Sequence, residues 1–267
     1  MLRDITLGQY YPSGSIVHRL DPRTKLAATM LFLISLFVTR SAAGYALAIA
    51  VLFIVIKLTK VPFGYMVRGM KAIVMLLMLS VAFNLFLTPG RELLHIGFIR
   101  VTYEGIETAA MMAVRLIMLV LGSTILTLTT TPNQLTDGLE KSLGFLKKLG
   151  VPVHEISMMM SIALRFIPIL VDETDKIMKA QTSRGADFET GGMVQKAKSM
   201  IPLLVPLFIS AFRRASDLAL AMEARCYHGG DGRTKMKPLK YNDIDKIAYV
   251  LILLYFAAMI MTRFLPV

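Results

Sequence analysis

Two arginines that end long apolar helical patterns are the residues of this sequence best suited to binding chemistry. Arg184 comes one step after an apolar series spaced alternately by four and three residues: Ile156, Met160, Ala163, Ile167, Leu170, Thr174, Ile177 and Gln181. Arg225 follows a second series with the same spacing: Leu204, Phe208, Ala211, Ala215, Leu218 and Met222. This spacing puts each arginine on the apolar stripe of its helix. Because a guanidinium group can hold a carboxylate through paired hydrogen bonds, the two arginines predict an acidic partner.

A simpler interpretation of both arginines is that cations favour the carboxyl ends of helices, where each contributes about 0.3–1 kcal/mol. A cation elsewhere on the last turn would serve the helix dipole equally well. The repeated placement on the apolar stripe therefore favours a partner carboxylate. Prolines at Pro168, Pro202 and Pro206 predict that both helices are bent or broken.

The sequence lacks the motifs of the common catalytic sites. No Walker loop is present, since "GGMVQKAKS" has no glycine before a lysine at the required spacing. Cys226 and His228 form no nucleophile pattern without a placed base. The four histidines are scattered and do not form a zinc motif: His18, His95, His154 and His228. We therefore predict a protein that is not an enzyme, with no catalytic or metal-ligating residues and no cofactor of its own.

Arg115 lies near the middle of the apolar run Gly105 to Thr130. A charge near a bilayer centre costs at least about 2.5 kcal/mol on insertion scales, so Arg115 should face protein or water and marks a transport path. The alternative is that it lies closer to a membrane interface. The sequence leaves both interpretations open.

Composition predicts the setting of these residues. Of 267 residues, 55% are hydrophobic, the mean hydropathy is +0.61, and the formal net charge is +12. Apolar bulk and basic charge must therefore occupy separate places, which is typical of a membrane protein with a basic cytoplasmic face. The basic residues lack interleaved aromatic side chains and lie between apolar runs, which argues against nucleic-acid binding.

Five apolar runs predict transmembrane helices: Leu26 to Thr39, Ser41 to Ile56, Ala72 to Thr88, Gly105 to Thr130 and Ile247 to Leu265. The first two read as a tight hairpin around Arg40, although one long kinked helix is an alternative. Lysine and arginine concentrate on the flanks that lie inside if the amino terminus is cytoplasmic. The carboxyl terminus is then outside, and the chain is a multi-pass membrane protein.

The predicted fold class is therefore all-α, with about five transmembrane helices and a cytoplasmic block of amphipathic helices inserted before the last one. We expect a membrane domain at 1–130, a helical module at 131–245 and a last transmembrane helix at 246–267. The module begins with a capping box of Thr131 and Gln134, and its first amphipathic helix ends near Gly150.

Short motifs in this order resemble a known family. "DPRTKL" at Asp21 to Leu26, "ALRFIP" at Ala163 to Pro168 and the two arginine motifs are similar to the transmembrane T component of energy-coupling factor transporters, the EcfT/CbiQ family of ABC-type importers. In the first motif we single out Asp21, Pro22, Arg23 and Lys25 as structural residues. The resemblance covers nearly the whole chain.

The resemblance implies that two Ala-Arg-Gly motifs dock in grooves of two ABC ATPase subunits, which bind ATP and Mg²⁺. The corresponding residues are Ser183, Arg184 and Gly185, then Ala224, Arg225 and Cys226. Ser183 replaces alanine and Cys226 replaces glycine, the residue that a tight helix end favours.

The resemblance also implies a role for the apolar stripes, which would contact each other and a substrate-binding S component. The stripe residues chosen are Ile156, Met160, Ala163, Ile167, Leu204, Phe208, Ala211 and Leu218. The implied function is a coupling scaffold for the uptake of a vitamin or a transition-metal ion. The alternative is a self-sufficient secondary transporter or channel whose path is lined by Arg115.

Overall fold

The computed structural model describes residues 10–39, 41–96, 99–188, 192–230, 236 and 238–262. Arg40 and residues 263–265 of the predicted last span lie outside these ranges. Ten α-helices are present in the described part of the chain: α1 (Ile16–Arg19), α2 (Pro22–Val38), α3 (Ala42–Thr59), α4 (Phe63–Leu87), α5 (Tyr103–Thr129), α6 (Pro132–Ser142), α7 (Val153–Ser183), α8 (Met193–Ser199), α9 (Ile201–Glu223) and α10 (Asp243–Thr262). A 3₁₀ helix at Leu143–Leu149 follows α6.

The helical membrane fold predicted from the sequence is confirmed, with one addition. Between α4 and α5 the chain forms an antiparallel hairpin of β1 (Glu92–Ile96) and β2 (Ile99–Thr102). Its pairing is irregular between Glu92 and Leu94. A connection of this kind needs no apolar periodicity, which is why the helical patterns on either side did not reveal it.

Four described helices are long and apolar enough to cross a membrane: α3, α5, α7 and α10. A shorter apolar helical stretch at Ile73–Leu87 lies within α4. This set differs from the prediction in two ways: α7 was predicted in the cytoplasmic block, and α2, which was predicted as a span, is 17 residues long and is not in the set. Its second half carries Asp172, Glu173 and Asp175, and such charges favour water over hydrocarbon. The place of α7 in the cytoplasmic block stays a prediction.

The break between the first two predicted spans is real, because α2 ends at Val38 and α3 begins at Ala42. Two separate helices are therefore confirmed over a single kinked one. Both α2 and α3 pack against α5 and α10. Ser41 starts α3 by accepting a hydrogen bond from the Gly44 amide at 3.2 Å.

The predicted capping box of α6 is confirmed. The Gln134 amide donates to the Thr131 hydroxyl at 3.3 Å, and the Thr131 amide donates back to the Gln134 side-chain oxygen at 3.2 Å. These reciprocal bonds satisfy two amides that the first helical turn leaves free. One helix was predicted up to Gly150, but α6 ends at Ser142 and the segment continues as the 3₁₀ helix, which Gly150 ends with a left-handed φ of 82°.

The described residues group into two compact units. One lies within Leu139–Pro238, and the other comprises 10–138 together with 239–262. The second unit contains the main apolar core, built from α2, α3, α5 and α10 with residues at the start of α4: Leu36, Tyr45, Ala48, Leu52, Val61, Met66, Met118, Leu121, Ile125, Leu128 and Met259. The domain boundaries predicted at 130/131 and 245/246 stay a prediction.

Candidate functional site

The first arginine motif lies where α7 ends. The amides of Arg184 and Ala186 both donate to the Gln181 carbonyl at 3.0 Å, and the Gly185 amide donates to Thr182 at 2.9 Å. Gly185 adopts φ 88°, a left-handed conformation that costs glycine little. These bonds form a Schellman turn, which satisfies carbonyls that the last helical turn leaves free. Arg184 is therefore held on a defined turn and is exposed to solvent.

The second motif ends α9 with the same turn. The amides of Arg225 and Tyr227 donate to the Met222 carbonyl at 3.1 Å and 3.0 Å, and the Cys226 amide donates to Glu223 at 2.9 Å. Cys226 takes the left-handed place of glycine with φ 57°. The replacement of glycine by cysteine therefore does not remove the tight helix end. Arg225 and Cys226 are both exposed.

Helices α7 and α9 pack against each other in opposite directions. The Arg214 guanidinium lies 3.4 Å from the Glu173 carboxylate, and the Tyr227 hydroxyl donates to the Met158 sulfur at 3.1 Å. A later residue of α7 thus pairs with an earlier position of the α9 segment. The two helix ends that carry the arginine motifs therefore point away from each other.

The two arginines are placed symmetrically about the Glu173–Arg214 contact. Arg184 follows Glu173 by eleven residues, and Arg225 follows Arg214 by the same number. Neither stretch contains a proline, since Pro168 and Pro206 come before them. With a helical rise of about 1.5 Å per residue, the two arginines are separated by about 33 Å along the helix axes. The arrangement presents one cation at each end of a helix pair.

The predicted stripe residues are not enclosed by the described chain. The larger ones are exposed: Ile156 by 42%, Met160 by 45%, Leu204 by 41% and Phe208 by 60%. Ala163 is also exposed, while Ile167, Ala211 and Leu218 are half-buried. An apolar surface of this kind marks a contact with protein or lipid. Its partner stays a prediction.

The "DPRTKL" motif joins the start of α2 to the start of α10. Asp21 caps α2 by accepting the Arg23 amide at 2.9 Å, and Pro22 follows in the first turn. The amide of Asp21 donates to the Asp245 carboxylate at 2.8 Å, and that carboxylate also accepts the Asn242 amide at 2.8 Å. Asp245 is fully buried, so these charge-assisted bonds are shielded from water.

Both cations of this motif have partners in the same unit. The Arg23 guanidinium donates to the Leu239 carbonyl at 3.1 Å and lies 4.4 Å from the centre of the Tyr241 ring. The Lys25 ammonium is buried and donates to the carbonyls of His18 at 3.0 Å and Thr129 at 2.9 Å. The motif therefore ties together α1, α2, the end of α5 and the segment leading into α10.

The sequence is similar to known transport proteins over almost its full length. It matches the CbiQ family, described as "Cobalt transport protein", over residues 13–236. A relative from Thermosediminibacter oceani, named energy-coupling factor transporter transmembrane protein EcfT, is 50% identical over 264 residues, which cover 99% of this chain and 100% of the relative. Proteins of the same name are 51% identical in Clostridium kluyveri, covering 98% of each chain, and 44% identical in Bacillus subtilis, covering 98% of this chain and 100% of the relative.

This chain belongs to the EcfT/CbiQ family. The resemblance predicted from the short motifs is therefore confirmed, and so is a multi-pass membrane protein. With apolar helices long enough to span a bilayer, the chain is a transmembrane component of transport.

The unit that carries the two arginine motifs also contains a side-chain cluster that the sequence did not reveal. The Glu140 carboxylate accepts hydrogen bonds from His154 at 3.0 Å and from the Ser157 hydroxyl at 2.9 Å. Glu140 is far from its partners in sequence, and His154 had been considered only as a metal ligand. In the part of the chain that the structure describes, no group of three or more His, Cys, Asp or Glu side chains is arranged to hold a metal ion.

His18 forms hydrogen bonds within the segment that precedes α2. Its Nε2 donates to the Tyr11 carbonyl at 2.8 Å, and its Nδ1 lies 2.7 Å from the Ser15 hydroxyl. Burial lowers the pKa of His18, and the nearby Lys25 cation lowers it as well.

Arg115, the other cation considered for function, has a protein partner. Its guanidinium donates to the Tyr45 hydroxyl through both Nε and Nη2, at 2.9 Å for Nε. Tyr45 lies on α3 and is 5% exposed. Arg115 therefore faces the helix bundle of this EcfT/CbiQ member.

Proposed function

We propose that this chain is the coupling scaffold of an energy-coupling factor importer. It holds two ABC ATPase subunits and a membrane S component, and it transmits ATP-driven motion to that component. ATP and Mg²⁺ belong to the ATPases, and the chain itself is not catalytic. Family membership and the names of its relatives support this proposal. The substrate class is a vitamin or a transition-metal ion, because the family resemblance covers importers of both.

The observation that carries the proposal is the repeated helix end. Two helices end in the same turn, each with an exposed arginine followed by a left-handed residue, Gly185 in one and Cys226 in the other. Two equal anchors at opposite ends of a helix pair suit two related subunits, one at each end. An arginine that becomes buried against a carboxylate at such a contact is a candidate hot spot of binding.

The exposed stripes support the second contact. Ile156 and Met160 on α7, and Leu204 and Phe208 on α9, present apolar side chains. An S component that covers these side chains removes their apolar surface from contact with water or lipid. Because α7 and α9 carry both the anchors and the stripes, movement of the ATPases reaches the S component through these helices. ATP binding draws the ATPases together, and the S component reorients and releases its substrate inside.

The direction of the chain follows the charge pattern. Lysine and arginine flank the predicted inner ends of the spans, which favours a cytoplasmic amino terminus and a carboxyl terminus outside. The arginine motifs then face the cytoplasm, where ATPases bind. The host membrane is the plasma membrane of a prokaryote.

The decisive experiment compares ATPase retention by membrane-expressed chains. The variants are Arg184→Glu and Arg225→Glu, alone and together, co-expressed with the ATPases and S component of the same host. Arg213→Glu is the matched control, because Arg213 is an exposed arginine of α9 that lies before its end. Loss of a desolvated arginine contact costs about 2 kcal/mol or more, so each single variant should weaken ATPase binding by about thirtyfold or more.

Retention by the double variant at the wild-type level would refute the docking role, provided that the S component still co-purifies. Weakening by Arg213→Glu to the same extent would show that general positive charge, and not the helix ends, holds the ATPases. The hydrogen bonds to Tyr45 explain how the Arg115 charge is accommodated without a transport path. We therefore do not propose a self-sufficient transporter. Solute transport by the purified chain in liposomes, with no nucleotide present, would favour the self-sufficient transporter instead.

A further inference from the structure

Gly230 lies directly against the imidazole ring of His154. A Cβ built on Gly230 would be 2.2 Å from His154 Cδ2 and 2.8 Å from Cγ, closer than real carbon atoms approach. Only a residue without a side chain fits this contact. The segment after the second arginine motif therefore packs closely against the beginning of α7, at a position four residues after Cys226.

The His154 ring is itself held in place. Since the Glu140 carboxylate can only accept, the Nδ1 of His154 donates the 3.0 Å bond, and the other carboxylate oxygen accepts from Ser157 at 2.9 Å. The Glu140 side chain is 13% exposed, and Ser157 is buried at 7%. A charge-assisted bond in such a sheltered place fixes the plane of the ring. Glu140, His154, Ser157 and Gly230 thus form one connected group, called the bracket below.

A second contact supports the bracket. The hydroxyl of Tyr227, two residues after Arg225, donates to the Met158 sulfur at 3.1 Å. Residues on both sides of His228 are therefore placed on the first turns of α7.

We propose that the bracket positions Arg225 for docking, so that this end is oriented by α6 and α7 as well as by its own helix. The proposal rests on the docking role of Arg225 proposed above. It assigns to Glu140, His154 and Gly230 a positioning role that concerns one ATPase site and not the site at Arg184. The two docking ends then share a turn, and the bracket is a further support of the Arg225 end.

The first test measures the position of the turn without any partner. Cys226 is the only cysteine of the chain, so a nitroxide label attached to it in the otherwise unaltered full-length protein reports on this end alone. Gly230→Ala should displace the segment and increase label mobility. His154→Phe keeps a ring but removes the Nδ1 donor, and it should increase mobility as well. Gly144→Ala is the matched control, because its Cβ would meet nothing within 4 Å.

The second test asks whether the bracket acts through Arg225. With Arg184→Glu already present, docking depends on the Arg225 end, and Gly230→Ala should lower ATPase affinity a further five- to tenfold or so. With Arg225→Glu already present, Gly230→Ala should have no further effect. General destabilisation of the fold would instead weaken docking equally in both backgrounds.

The outcomes separate the two proposals. Unchanged label mobility in both Gly230→Ala and His154→Phe would overturn the bracket, and so would equal losses of ATPase affinity in the two backgrounds. Increased mobility with no change in ATPase affinity would also overturn the positioning role. Full ATPase retention by Arg184→Glu and Arg225→Glu together would overturn the docking proposal on which this one rests, whatever the label shows.

Discussion

Replacing Cys226 by glycine tests whether the second arginine motif is held in a strained conformation. Cys226 has φ 57°, whereas its counterpart in the first motif is Gly185 with φ 88°. The left-handed region costs an L-residue about 1–2 kcal/mol because Cβ crowds the neighbouring backbone. Glycine avoids that cost but loses about 0.5–1 kcal/mol more backbone entropy on folding. Cys226→Gly should therefore stabilise the turn by about 0.5–1 kcal/mol.

The assay follows both the turn and the whole protein. Hydrogen exchange should slow by about two- to fivefold at the amides of Cys226 and Tyr227, which close the turn onto Glu223 and Met222. The melting temperature should rise by about 1–3 °C if the turn opens with the rest of its unit. Arg225 keeps its backbone bonds in this variant, so ATPase retention should not fall.

The reciprocal change supplies the control. Gly185→Cys places a side chain at φ 88° in the first motif, and we expect it to destabilise that turn by about 1 kcal/mol or more. The two substitutions should thus have opposite signs at equivalent positions. Faster amide exchange in Cys226→Gly, or a stabilising Gly185→Cys, would refute the reasoning that backbone conformation governs these helix ends.

Two further predictions concern the second unit. Asp245→Asn should lower the free energy of unfolding by about 1–3 kcal/mol, because one of the two amides that donate to the buried carboxylate loses its acceptor. Thermal unfolding should show little change for Asp243→Asn, whose side chain is 92% exposed. Acidification should weaken the fold through His18. Its pKa is lowered in the folded state, so its contribution is fully present above the unfolded pKa of about 6.5 and is lost as the pH falls below that value. His18→Gln should remove this part of the pH dependence of the melting temperature, and an unaltered profile would contradict the assignment.

Local features of the chain were the predictable part of this structure. The capping box of Thr131 and Gln134 depends on residues three positions apart, and Gly150 ends its segment within the same stretch. The alternating steps that lead to Arg184 and Arg225 depend only on helical geometry. Such patterns require no knowledge of tertiary contacts, so both helix ends were located from the sequence.

The contacts that position these elements could not be predicted in the same way. Asp245 meets Asp21 from more than two hundred residues away, and no periodicity connects them. His154 was one of four scattered histidines in the sequence, and no pattern connects it with Glu140, which orients its ring. The conformation of Cys226 was also unexpected, because the turn imposes a positive φ that cysteine rarely adopts.

The equal spacing of the two arginines from the Glu173–Arg214 contact has a mechanical consequence. If α7 and α9 rotate against each other about that contact, the contact is the centre of rotation, and the two arginines lie at equal distances from it. Each arm is about 16 Å long, so a rotation of about 10° carries each arginine through about 3 Å. Because the two arms are equal, both helix ends move by the same distance for a given rotation.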